Sequence, residues 1–146
     1  MSTPIIALDV GARRTGVAVS DPDRRIALPL ETVESADARA AVARVLALMD
    51  ARGCDTVVAG WPLNMQGKEG RATRRVDAFL TALSQAAGRE VTIVRWDERL
   101  TTTAAESELV GQGMRRSRRK EVVDQLAATH ILEGYLRSLA RGGADG

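Results

Sequence analysis

Short runs of strand type, alternating with longer stretches of helical periodicity, set the limits on what this chain can become. Residues 4–10 (PIIALDV) and 16–20 (GVAVS) are too short for helices, and a glycine-bearing turn at 11–14 separates them, which predicts a hairpin. Residues 26–33 predict a third strand, which Pro29 confines to a sheet edge or a bulge. A helix is expected from a cap at Ser35 to Arg52, with Val42, Val45, Leu46 and Met49 inward and Gly53 as its stop. Residues 55–60 (DTVVAG) predict a buried strand, 61–70 a loop, and 71–87 a helix with Val76, Phe79, Leu80 and Leu83 inward and Gly88 at its end. Residues 90–96 (EVTIVRW) predict a fifth strand, and Thr103 with Glu106 patterns as the capping box of a short helix. A last helix is expected over about residues 120–141. The order β-β-β-α-β-α-β-α predicts an α/β domain spanning 1–146: a mixed five-stranded sheet with helices on both faces.

Composition narrows the function classes. Apolar residues at 45% and charged residues at 27% match an ordinary globular core and surface, which excludes disordered and fibrous classes. Cys54 is the single cysteine, so no internal disulfide can form, and with His130 as the single histidine a Cys–His zinc site is excluded by count. No apolar run approaches the roughly 18 residues of a membrane span, and Asp9 stands where an export signal needs apolar residues. A cytoplasmic location is therefore expected, in keeping with a lone thiol. Four aromatics (Trp61, Phe79, Trp96 and Tyr135) are too few for a platform that stacks successive bases.

Charge is informative through its placement. Lys and Arg number 21 against 19 Asp and Glu, yet residues 113–120 (GMRRSRRK) hold Arg115, Arg116, Arg118, Arg119 and Lys120 with no acid. Arg71, Arg74 and Arg75 follow Lys68, and Arg13 and Arg14 stand at the hairpin turn. Such clusters attract a polyanion, which makes nucleic acid the expected partner. Asn64, in the turn-rich loop, is a further candidate contact, although Asn there also serves simply to fold the turn. Arg99 can meet substrate or pair with Asp97.

Carboxylates appear where core residues are expected. Asp9 interrupts the apolar run IIALDV, and Asp124 falls within the stripe formed by Ala127, Ala128, Ile131, Tyr135 and Leu139. A carboxylate facing a core must be neutralised, paired or bound to a cation, and Lys120, one turn earlier, is a candidate partner for Asp124. A third acid lies at the end of the fifth strand, where open α/β sheets collect functional groups. Strand alternation sends Asp97 and Glu98 to opposite faces, so only one of them joins a shared site, and spacing alone does not choose between them. Three oxygen ligands in a basic setting suit Mg²⁺ or Mn²⁺, and two such ions would serve phosphodiester hydrolysis. His130 lies away from the Asp124 face and is expected to be exposed.

Four motifs in order, DVGARRTGVAVSD (9–21), PLNMQG (62–67), DERLTT (97–102) and VDQLAA (123–128), resemble the bacterial YqgF family over about residues 5–136. Members of that family are described as Holliday junction resolvases and as pre-16S rRNA nucleases with a ribonuclease-H-like fold. The resemblance implies a metal-dependent nuclease with Asp9, Glu98 and Asp124 as catalytic metal ligands, Asp97 being the substitute for Glu98. Related resolvases carry an acid at the end of the fourth strand, where this chain reads Gly60-Trp61-Pro62. Ala12 and Trp61 depart from the family pattern, which has Thr and a smaller aliphatic there. The implied substrate is structured RNA or branched DNA, and the two-fold symmetry of a four-way junction favours a homodimer. Two other classes stay open: a non-catalytic nucleic-acid or ribosome-assembly module, and an actin-like phosphotransferase lobe suggested by the Asp-x-Gly hairpin.

Overall fold

A computed structural model describes residues 2–97 and 116–142. Its elements are β1 (Ile5–Val10), β2 (Arg14–Ser20), β3 (Ala27–Glu34), α1 (Ala38–Arg52), β4 (Thr56–Trp61), α2 (Arg71–Ala87), β5 (Thr92–Asp97) and α3 (Arg116–Gly142). The strands form one sheet in the order β3-β2-β1-β4-β5. β1–β2 and β2–β3 are antiparallel, as the short turns between them require, whereas β1–β4 and β4–β5 are parallel across α1 and α2.

Alternation along each strand feeds two cores. Ile6, Leu8, Val10, Val17, Val19, Val57 and Ala59 face α1 and α2 with Val45, Met49, Phe79 and Leu83. Ile5, Ala7, Ala18 and Val58 face α3 with Ala128, Ile131, Leu132 and Leu136. Both faces of the central strands are thereby covered, which is why β1 and β4 read as continuous apolar runs. Among the described residues, no helix is long and apolar enough to cross a membrane.

Local details confirm some expectations and correct others. Pro29 lies on the edge strand β3, and the β2–β3 register shifts between Val17 and Ala18, opposite Glu31 and Pro29. Gly53 and Gly88 end their helices in the left-handed conformation at φ 70° and 67°. Ser35 is not the cap of α1: its hydroxyl donates to the Gly11 carbonyl at 2.8 Å, tying the first hairpin to the chain beyond β3. Asp37 caps instead, its Oδ1 accepting from the Ala40 amide at 3.2 Å. The last helix begins at Arg116, about a turn earlier than expected, and its buried stripe includes Leu132 and Leu136 beyond the residues of the expected stripe. The short helix expected after Thr103 lies outside the described residues.

Candidate active site

Asp9 continues the face of β1 that Ile5 and Ala7 present to α3. Its partner across the antiparallel pair is Gly16 on β2. Directly opposed residues in such a pair share a face and lie about 4.5–5.5 Å apart. Gly16 has no side chain, and α3 uses the space: a Cβ added there would overlap the backbone carbonyl of Asp124. The helix backbone at Asp124 is thus laid on the sheet at the position facing Asp9. Two acids 115 positions apart in the chain meet on one face through a glycine.

Polar contacts hold this end of α3 against the edge of the sheet. Thr32 Oγ1 on β3 donates to the Glu121 carbonyl at 2.7 Å, and Gln125 Nε2 donates to the same hydroxyl at 3.2 Å. Farther along, Ala128, Ile131 and Leu132 seat the helix by burial. The acid-bearing turn is therefore fixed by a close backbone contact, two hydrogen bonds and a core.

Asp124 is paired, but not with Lys120, which is exposed. Arg14, the first residue of β2, donates from Nε to Asp124 Oδ2 at 2.7 Å, with the two side chains 29% and 21% exposed. The hydrogen bond to Asp124 and the charge of Asp124 raise the Arg14 pKa above its ordinary value, and Glu34 and Glu121 add to the effect. Arg14 reaches Asp124 because β2 and α3 are in contact at Gly16, two residues along the strand.

The third acid is divided between the faces. Asp97 ends β5 opposite Trp61 of β4, and alternation from Ile93 places it on the α1/α2 face, away from Asp9. Glu98 lies outside the described residues, as do Arg99 and Arg115. No group of three or more acidic, histidine or cysteine side chains among the described residues is arranged to hold a metal. The end of β4 carries Trp61 in place of an acid. Its indole Nε1 donates to Glu69 Oε2 at 3.1 Å, and the Arg95 guanidinium lies 5.0 Å from the ring centroid while bonding Asp77 at 3.0 Å. These groups, with Thr73 and Arg74, line an open depression of about 550 Å³ on the α2 side. Sequence reasoning does not single out Arg95, which reads there as one outward position of an alternating strand.

The basic candidates occupy several surfaces. Arg13 is exposed in the β1–β2 hairpin, which is closed by the Gly11 amide donating to the Arg14 carbonyl at 3.0 Å. Arg71 and Arg74 are exposed on the first turn of α2, and Arg119 and Lys120 on the first turns of α3. Arg116 and Arg118 lie on that same stretch of helix backbone. Asn64 folds its own loop, with Oδ1 accepting from the Gln66 and Lys68 amides at 2.9 Å each. His130 corrects an expectation: its side chain is only 19% exposed, and Nδ1 lies 3.2 Å from Glu133 Oε1 one turn along α3.

Known proteins resemble this chain in both sequence and fold. Residues 3–138 match the family described as RuvX: Holliday junction resolvase. A protein of Nitrobacter hamburgensis named "Putative pre-16S rRNA nuclease" is 43% identical over 136 residues, covering 93% of this chain and 82% of that protein. One of the same name from Chloroflexus aurantiacus is 44% identical over 132 residues, covering 90% and 85%. Among solved structures, T. thermophilus RuvC in complex with a Holliday junction substrate superposes with a TM-score of 0.61 at 19% identity, covering 97% of each chain. That likeness shows a common ribonuclease-H-like fold.

Proposed function

This chain belongs to the RuvX (YqgF) family, and from that premise we propose that it is a metal-dependent nuclease of structured nucleic acid whose acids are Asp9, Glu98 and Asp124. Hydrolysis of phosphodiester bonds is the activity of the family. The observation that carries the site is the seam at Gly16, which sets the backbone of Asp124 against the strand position facing Asp9.

The donor set fits a hard divalent cation. Asp9 and Asp124 offer carboxylate oxygens, and Asp124 already carries a positive group in Arg14. Mg²⁺ is commonly held by one or two carboxylates, with water and substrate phosphate completing its shell. When bound, Mg²⁺ or Mn²⁺ supplies charge neutralisation at the phosphate and a more acidic water. We assign the third ligand to Glu98 in preference to Asp97, because Asp97 stands on the face opposite Asp9. Asp9 and Asp124 are anchored on a strand and a helix, each packed in a core, so the oxygen ligands are held without a large ordering cost on binding.

Hydrolysis joins a water oxygen to phosphorus and releases the sugar oxygen, so negative charge builds up at a group that is already anionic. The basic surfaces at Arg13, Arg71, Arg74, Arg119 and Lys120, extended by Arg115, Arg116 and Arg118, draw in and orient the phosphate backbone. The test is incubation of the purified protein with labelled four-way junction DNA and with precursor-rRNA-like RNA, in Mn²⁺ and in chelator. Cleavage of either substrate only with the cation is the expected result. Binding that persists in chelator, with no cleavage in Mn²⁺, would instead establish a non-catalytic binding module.

A further inference from the structure

Arg14 and Arg13 are adjacent in the chain but differ in placement. Arg13 is exposed at the hairpin, whereas Arg14 turns inward to Asp124. The contact uses Nε alone: among the described residues, the two terminal guanidinium nitrogens of Arg14 make no hydrogen bond. Glu34, directly across on β3, and Glu121, three residues before Asp124 on α3, increase the negative charge around it. α3 does not depend on this ion pair for its seat, since the Gly16 contact, the Thr32 hydrogen bonds and the apolar core already fix it.

Asp9 and Asp124 are carboxylates on elements that meet at Gly16, and a cation beside Asp124 offsets the repulsion between like charges on one face. A guanidinium and a divalent ion held on one carboxylate, even on its two separate oxygens, lie within a few ångströms and repel each other, so loading of the cation weakens the hold on Arg14. We propose that Arg14 is the resident counter-cation of Asp124, released when a divalent cation takes that carboxylate, and that the freed guanidinium then grips a substrate phosphate. The inference rests on the metal-site reading of Asp9 and Asp124 and adds to it a residue that couples cation loading to substrate binding. The planar fork of Arg, whose terminal nitrogens make no hydrogen bond among the described residues, matches a phosphate in a way that the point charge of a lysine does not.

The experiment is a calorimetric titration of Mn²⁺ alone into the wild type, Arg14→Gln and Arg13→Gln, with thermal melts alongside. Removing a charge-assisted hydrogen bond that competes with the cation should make Arg14→Gln bind Mn²⁺ about five- to tenfold more tightly. Arg13→Gln removes the same charge but no bond to Asp124, and should stay within about twofold of wild type. A purely structural Arg14 would shift affinity the other way, so equal or weaker binding by Arg14→Gln overturns the proposal. Equal tightening by Arg13→Gln also overturns it, because loss of charge alone would then be the cause. If Arg14→Gln does not fold, Arg14→Met, which keeps an unbranched apolar stem but removes the charge and the donors, replaces it and should also bind more tightly than wild type. Absence of Mn²⁺ binding in every protein would remove the metal-site reading itself, and this inference with it. The second measurement is the salt dependence of junction DNA binding in Ca²⁺ and in chelator. Arg14→Gln should lower the slope by about 0.9 in Ca²⁺ and leave it unchanged in chelator. Identical slopes for wild type and variant in both conditions would refute the phosphate role.

Discussion

Gly16 lies beneath the backbone carbonyl of Asp124, and it is also the residue directly opposite Asp9. A strand, its hairpin partner and a helix more than a hundred residues later therefore meet at a position with no room for a side chain.

Gly16→Ala is the sharpest structural prediction. A methyl group there must displace α3 or bend β2, and overpacking of this kind costs about 1–3 kcal/mol. The melting temperature should fall by roughly 3–9 °C, and Mn²⁺-dependent cleavage should fall further than the reduced stability explains. A variant with wild-type melting and wild-type turnover would show that the seam does not position the acids.

Asp9→Asn and Asp124→Asn should each remove cleavage while the protein stays folded. Partners one bond beyond a metal's own ligands are worth up to about a hundredfold in activity, so loss of a ligand should exceed that. Gel-based cleavage assays and circular dichroism would check this. Undiminished turnover by both variants would end the assignment of these two residues.

The basic stretch makes a separate prediction about binding. Replacing Arg115, Arg116, Arg118 and Arg119 by Gln should flatten the dependence of duplex binding on salt by about 0.9 for each phosphate no longer neutralised. Fluorescence anisotropy at several salt concentrations measures the slope. An unchanged slope would make these residues a solvated surface without a phosphate role.

Cys54 predicts a pH limit on stability. It is fully buried beyond the end of α1, and burial pushes its thiol pKa up from an ordinary 9.0 to about 11. The folded state thus favours the protonated thiol. The stability this contributes is complete below pH 9, where the unfolded thiol is still protonated, and is lost as pH rises from 9 to about 11. Denaturation midpoints across that window should fall less for Cys54→Ala than for wild type. At pH 8 the native thiol should resist alkylation until denaturant is added; rapid labelling of the native protein would contradict this burial.

Much of the fold is legible in the sequence because its signals are local. The stop glycines Gly53 and Gly88, the inward residues of α2, and Pro29 on an edge strand all follow from spacing within one segment. Asp9 stands out for the same reason, as a single charge in an apolar run. The expected cap of α1 is misplaced by two residues because Ser35 and Asp37 are both good caps, and only the tertiary contact from Ser35 to Gly11 decides between them. Arg95 could not be picked out, since its placement over Trp61 depends on which strand lies beside β4.

For the acids, the sequence by itself determined that Asp9 and Asp124 sit at positions meant for a core, where a carboxylate must be neutralised, paired or bound to a cation. Local periodicity is enough to establish that, because it places each side chain relative to its own element. The tertiary structure decided that the partner of Asp124 is Arg14, not Lys120, that Gly16 is where the two acid-bearing elements meet, and that Asp97 falls on the wrong face to join Asp9. Those outcomes depend on strand order and on where a helix crosses the sheet, which are set by the burial of two whole cores and leave no periodic trace in any one segment.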